Sequence, residues 1–161
     1  MKNVLITGGS RGLGLEFTRQ YLEKGLQVFS ASRNPDTIEL QQLNVRYKGL
    51  LTIYQLDVSD EKSRHQLFLK ISKKVAKLDM LINNAGIASG NEKFRYRFGE
   101  LNQEDLCRSF LVNSVAPLMM SEKFFPLLKN GDEPIVVNIS SNSGCISKKK
   151  GNGSTGYGYS A

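Results

Sequence analysis

The chain has 161 residues, 40% of them apolar and 23% charged, the size and composition of one globular domain that can bury a core without disulfides or metal. Its net charge of +7 is spread along the chain apart from Lys148-Lys149-Lys150, a run with no interleaved aromatics, so nucleic acid is not an expected partner. No apolar run approaches the roughly 18 residues of a membrane helix, and Met1-Lys2-Asn3 leads directly into Val4-Leu5-Ile6, so no membrane partner and a cytoplasmic location are expected.

The first predicted strand is Asn3 to Thr7, followed by a glycine-rich turn from Gly8 to Gly14. Leu13, Phe17, Tyr21 and Leu22 then share one helical face that ends near Gly25. Leu26 to Ala31 is strand two, and Asn34-Pro35 opens a short helix as an N-cap followed by proline at the first position. Ile38, Leu40 and Leu43 are its apolar positions. Strand three is Leu51 to Leu56, and Ser59 is the expected cap of a helix carrying Leu67, Ile71, Val75 and Leu78 at spacings of three and four. Strand four, Met80 to Asn83, runs into Asn84-Ala85-Gly86. An irregular stretch with Phe94, Tyr96 and Phe98 follows, and Asn102 then caps a long helix to about Lys129 with a kink expected at Pro117. Strand five is Ile135 to Ile139, and a Gly/Ser/Asn/Lys loop follows it. The alternation of strand and helix predicts a single α/β domain over 1–161, a parallel sheet with helices on both faces.

Chemistry has few histidines and cysteines to draw on. His65 lies in a charged stretch and is expected to face solvent. Cys107 and Cys145 fit no CxxC or Cys/His spacing and are expected as buried thiols, so no metal site is predicted. The informative segment is Thr7-Gly8-Gly9-Ser10-Arg11-Gly12-Leu13-Gly14, which follows a strand and opens a helix. Glycines let the backbone turn sharply and approach a pyrophosphate, and the helix N-terminus offers free N–H groups to an anion. A triphosphate loop is excluded because no Gly-Lys-Ser/Thr follows. A ligand-free tight turn is the alternative reading.

This segment resembles the Thr-Gly-x-x-x-Gly-x-Gly motif of the short-chain dehydrogenases/reductases. Asp57-Val58, Asn83-Asn84-Ala85-Gly86, Asn113 and Asn138-Ile139-Ser140-Ser141 match further family motifs in order, so the resemblance covers the whole chain. The Ser-Arg-Asn-Pro after strand two and the long Ser-to-Tyr interval are most similar to the carbonyl-reductase-like branch. The resemblance implies a Rossmann-type doubly wound parallel sheet, here with strands one to five.

In such folds an acid ending strand two binds the adenosine ribose and would repel a 2′-phosphate. This strand ends Ser30-Ala31-Ser32-Arg33, so Ser32 stands at the acid position with a guanidinium beside it, and NADP(H) is expected over NAD(H). Arg11 resembles the second basic residue of NADP-preferring members. The expected cofactor-binding set is Gly8, Ser10, Arg11, Gly12, Leu13, Gly14, Ser32, Arg33, Asp57, Val58, Asn84, Ala85 and Gly86. By resemblance, Asp57 meets the adenine amino group and Val58 its ring. Solvent-exposed arginines unconnected to cofactor are the alternative for Arg11 and Arg33.

The resemblance also implies hydride exchange between nicotinamide and a small-molecule carbonyl or alcohol. The implied catalytic residues are Tyr159 exchanging the proton on oxygen, Ser141 orienting that oxygen, and Asn113 holding a water in the relay. The family lysine, four residues after the tyrosine, binds the nicotinamide ribose and lowers the phenol pKa from about 10. Position four after Tyr157 is Ala161, which leaves Tyr159 as the tyrosine, with its lysine two positions past Ala161. The chain is therefore expected to be the N-terminal portion of an enzyme, interrupted within the Tyr-x-x-x-Lys motif. A non-catalytic NADP-binding sensor or pseudoenzyme remnant is the alternative. Phe94, Tyr96, Phe98 and Ile146 are candidates for part of a substrate wall or for the core, and the helix from 102 to 129 is a candidate homo-oligomer surface.

Overall fold

Five short runs rich in branched apolar residues pair side by side, all parallel, in the order β3-β2-β1-β4-β5. The computed structural model describes residues 1–87 and 102–141. Its strands are β1 (Asn3–Thr7), β2 (Gln27–Ser32), β3 (Leu51–Gln55), β4 (Met80–Asn83) and β5 (Ile135–Asn138). The helices are α1 (Gly12–Glu23), α2 (Ile38–Arg46), α3 (Glu61–Ser72), α4 (Gln103–Phe110) and α5 (Ala116–Leu128), with a π-helical turn over Leu111–Val115 between the last two. This is the doubly wound Rossmann-type arrangement.

Alternation along β1 divides the interior. Val4 and Ile6 join Leu22, Val28, Leu40, Leu51 and Ile82 on the face covered by α1 and α2. Leu5 joins Phe29, Ala31, Leu67, Ile71, Leu81, Met120 and Phe124 on the face covered by α3 and α5. Each fully buried Leu, Ile or Phe contributes about 1.5–3 kcal/mol through removal of apolar surface from water. Asp79, only 3% exposed, ties the ends of three segments together, because its carboxylate accepts the backbone N–H of Asn3 at 2.7 Å and of Asp132 at 2.9 Å.

Several local expectations are corrected. The short second helix begins at Ile38 with Thr37 as N-cap, not at Asn34-Pro35. The Asn34 carbonyl is taken by the Ser32 hydroxyl and the Thr37 hydroxyl donates to the Ser10 carbonyl, so residues 33–37 run along the rim of the sheet. Asp60, not Ser59, caps α3: its carboxylate accepts from Lys62 N and Ser63 N, and a carboxylate is favoured at the positive end of a helix. Ser59 is engaged with Asp57 instead. Leu13 and Ile38 are 64% and 75% exposed, because each starts a helix at a position past the sheet's cover. Cys107 is exposed, since α4 turns Ser109 inward and position 107 lies on the opposite side; Cys145 lies outside the described residues.

The long helix expected over 102–129 is broken into three. Pro117, which has no N–H and whose ring crowds the carbonyl of residue 113, sits at the start of α5. The turn before it widens so that Ala116 N–H reaches the Leu111 carbonyl five residues back. Asn102 caps α4 as expected, its Oδ1 accepting Asp105 N at 3.1 Å. His65 is exposed, with Lys123 Nζ 3.4 Å from its ring nitrogen. Among the described residues, no helix is long and apolar enough to cross a membrane.

Candidate functional site

The chain winds from β1 outward to β3, then returns to place β4 on the other side of β1. Open α/β sheets form a crevice at such a reversal, beyond the carboxyl ends of the strands. A cavity of about 1200 Å³ lies there, lined by residues that follow every strand, from Gly8 after β1 to Ser140 and Ser141 after β5. It is larger than the roughly 300–1,000 Å³ of ordinary small-molecule pockets, as an extended dinucleotide requires.

Its floor is the glycine turn. Gly8 has φ +70°, and a Cβ there would stand 2.9 Å from Ala85 Cα, so the β1 and β4 ends meet backbone to backbone. The Thr7 hydroxyl accepts Asn84 N at 3.1 Å and Ala85 N at 3.0 Å, and Asn84 Nδ2 donates back to the Thr7 and Gly8 carbonyls. Gly14 lets α1 pass over this junction, because a Cβ would fall 2.1 Å from the Gly8 carbonyl oxygen. Gly12 differs: its φ is +54°, yet nothing lies within 4 Å of the position its Cβ would take. Arg11, the N-cap of α1, makes no side-chain cap, and no acid stands in the first turn, so the helix N-terminus keeps its N–H groups and partial charge for an anion beside Gly12. The residues present fit a pyrophosphate.

The cavity is also cationic in its lining. Arg11, Arg33 and Arg108 line it, and among the described residues none of their guanidinium groups is in an ion pair. Asp57 is the single carboxylate in the lining among the described residues. Its Oδ1 accepts from Ser59 N at 2.9 Å and from Ser59 Oγ at 2.6 Å. Burial pushes the Asp57 carboxyl up, but the Ser59 hydrogen bonds and the nearby Arg33 and Arg108 charges outweigh it and hold it below the ordinary carboxylate value. Ser32 lies in the lining with its hydroxyl turned onto the Asn34 carbonyl at 3.0 Å, where an acid would be if the strand carried one.

Toward β5 the cavity holds the chemistry-bearing positions. Asn113 falls within the π-helical turn, and its carboxamide grips the Ile87 backbone from both sides, accepting Ile87 N at 2.9 Å and donating to Ile87 O at 3.0 Å. Asn83 Nδ2 donates to Asn138 Oδ1 at 2.9 Å across the β4–β5 register. Ser141 is exposed in the lining, after β5. Tyr159, the lysine run 148–150, Phe94, Tyr96, Phe98 and Ile146 lie outside the described residues.

Gly8, Ser10, Arg11, Gly12, Leu13, Ser32, Arg33, Asp57, Val58, Asn84, Ala85, Gly86, Asn113 and Ser141 thus line one cavity, while Gly14 supports it from beneath. Sequence reasoning passed over Arg108. The signal was its place four residues before Val112, a spacing that stacks the two on one helix face, and Val112 also lines the cavity.

Residues 2–160 match the family described as short chain dehydrogenase. The (+)-neomenthol dehydrogenase of Arabidopsis thaliana is 33% identical over 159 residues, spanning 87% of this chain and 53% of that protein. A carbonyl reductase from Pseudomonas aeruginosa PAO1 in complex with NADP superimposes with a TM-score of 0.85 at 28% identity, over 98% of this chain and 69% of that one. The NADPH-bound carbonyl reductase from chicken fatty liver gives a TM-score of 0.78 at 28% identity, over 92% and 60%. The chain spans about half the length of the curated relatives it matches. A glycine turn at the reversal of strand order, together with the family match over residues 2–160, leads to one assignment: the chain belongs to the short-chain dehydrogenase/reductase family of oxidoreductases.

Proposed function

We propose that this chain binds NADP(H) in preference to NAD(H) and carries the cofactor half of an oxidoreductase acting on small-molecule carbonyls or alcohols. The observation that carries this reading is the end of β2, where Ser32 replaces an acid and Arg33 and Arg11 face the cavity without an ion-pair partner among the described residues. Gly8, Ser10, Gly12, Leu13 and Gly14 hold the pyrophosphate, and the two guanidinium groups take the 2′-phosphate. The Asp57 carboxylate accepts the adenine amino group and Val58 packs on its ring, while Asn84, Ala85 and Gly86 line the cofactor beyond. The two NADP-bound structural neighbours support the same choice.

When bound, the nicotinamide supplies or accepts the hydride. Ser141 orients the substrate oxygen, Tyr159 exchanges the proton on it, and Asn113, clamped to Ile87, stands where the family resemblance has it hold a relay water. In the whole protein, Tyr159→Phe is expected to lower turnover by about 10²–10⁴-fold, the usual contribution of a positioned acid or base. Leu111, Leu118 and Phe125, seven residues apart and exposed, make the α4–α5 face the candidate contact for a second copy. Calorimetric titration with NADPH and NADH tests the cofactor reading: tighter NADPH binding supports it, and equal affinities or no binding overturn it.

A further inference from the structure

Arg108 is an exposed residue of α4 that none of the family motifs contains, yet it lines the same cavity as Asp57 and Val58. It belongs to the α4 wall of that cavity, whereas Asp57 and Val58 follow β3. Val112, one turn further along, is buried and lines that wall beneath it, so the two present an apolar floor and a planar cation along one helix face. Asp57 and Val58, after β3, are held in place by Ser59 on the Asp57 carboxylate, by Ser63 Oγ accepting Asp57 N at 3.0 Å, and by Arg64 donating to the Val58 carbonyl at 2.7 Å. A flat heteroaromatic ring entering this part of the cavity has an acceptor and an aliphatic side chain from the β3 end and Val112 and Arg108 from α4 to meet.

Resting on the cofactor reading above, we infer that Arg108 is an adenine-binding residue, whose guanidinium plane covers the exposed part of the adenine ring between α4 and the Asp57–Val58 turn. Arg33 follows β2 and Arg108 comes from α4, and the charges of both act on Asp57, Arg33's the more strongly. The ring is assigned to Arg108 because Arg108 stacks on one helix face with Val112, which also lines the cavity. The Arg108 charge also lies close enough to Asp57 to help hold that carboxylate ionised, the state that accepts an amino hydrogen. Guanidinium groups stack favourably on π faces, and such stacking does not distinguish a phosphorylated ribose from a plain one.

The test is calorimetric Kd measurement of four probes, NADP⁺, NAD⁺, 2′,5′-ADP and 5′-AMP, on the parent chain and on Arg108→Gln, Arg108→Lys and Arg33→Ala. Arg108→Gln is expected to weaken all four by the same factor, roughly fivefold. Arg108→Lys keeps the charge without the plane and is expected to recover only part of that loss. Arg33→Ala should weaken only the two probes carrying a 2′-phosphate. Unchanged Kd values in Arg108→Gln, full recovery with lysine, or a loss confined to the 2′-phosphate probes would each overturn the assignment of Arg108 while leaving the cofactor reading intact. Failure of the parent to bind any of the four overturns both.

Discussion

The two halves of the sheet are built to different tolerances. β1 is buried at every residue, and the turn after it is determined sterically from several directions: Gly8 against Ala85, Gly14 against the Gly8 carbonyl, Gly9 against the buried Ser30 hydroxyl. β5, at the far end of the order, is held by its register with β4 but leaves Ile135 and Val136 49% and 42% exposed among the described residues. The comparison separates two ways of making one cavity. The glycine-turn side is shaped by backbone contacts that admit no side chain, and the β5 side is shaped by side-chain bonds such as Asn113 to Ile87 and Asn83 to Asn138.

The largest expected effect comes from filling the tight half. Gly14→Ala drives a methyl into the Gly8 carbonyl and should cost about 3 kcal/mol or more, since overpacking against backbone has no easy relief. Val136→Ala on β5 should cost below about 1 kcal/mol, the span of strand propensity at a half-exposed site. Urea unfolding of both variants breaks the comparison if the two losses are alike.

Asp79 joins the halves, accepting from Asn3 at the start of β1 and from Asp132 before β5, with Lys77 beside it. Asp79→Asn should cost about 1.5–3 kcal/mol, the range for hydrogen bonds to a charged group. The sign of its pH dependence follows from its pKa. Burial pushes the Asp79 carboxyl up, but the Asn3 and Asp132 N–H groups and the lysines outweigh it, so the folded value lies below the unfolded one. Its stabilisation is therefore complete above the unfolded pKa of about 3.9 and disappears as pH falls through the lowered folded value. Unfolding curves of parent and variant should converge in acid, and a gap that persists at the lowest pH contradicts this account.

Gly12 sharpens the comparison because it belongs to the tight turn yet faces open space. Gly12→Ala should destabilise by only about 1–2 kcal/mol, the strain of a left-handed backbone at an L-residue, while cofactor binding falls much more steeply. Proportionate losses of stability and binding would show that the space above Gly12 is not where a phosphate sits. Arg33→Asp, which replaces an attraction by a repulsion, should leave stability within about 0.5 kcal/mol while reversing the preference between NADPH and NADH, as paired titrations would reveal. The smallest effect on folding is expected at Leu118, which is 68% exposed. Leu118→Glu should barely move the urea midpoint yet shift sedimentation toward a smaller species, and an unchanged sedimentation coefficient would remove the α4–α5 face as a contact between copies.

Much of this molecule was legible in one dimension because the decisive forces there are local. The five strands fell where branched apolar runs meet turn residues, and the glycine spacing after β1 announced a phosphate turn because only glycine satisfies φ +70° at Gly8 and a zero-clearance contact at Gly14. The absent acid after β2 was equally readable, since it is a matter of residue identity at the end of one strand. What escaped was the choice among side-chain partners, some only two residues away and some distant in sequence. Ser59 and Asp60 are both good caps, and only the presence of Asp57 within hydrogen-bond reach of Ser59 assigned them different tasks. Asn34-Pro35 has the local form of a helix start, but Ser32 and the distant Ser10 claim that segment for the cavity rim.

The same division holds in the site. Pro117 signalled a disturbance in the long helix, but that it widens into a π turn, from which Asn113 holds the Ile87 backbone, is seen only in the folded chain. Arg108 carried no motif at all, and only the fold of α4 brings it into the cavity that Asp57 also lines. Sequence alone determined the element order, the parallel sheet and the glycine turn, each governed by sterics within a few residues. Tertiary structure alone decided that Arg33 and Arg108, from different elements, both come near Asp57, because Coulomb interactions depend on distances that only the folded chain sets.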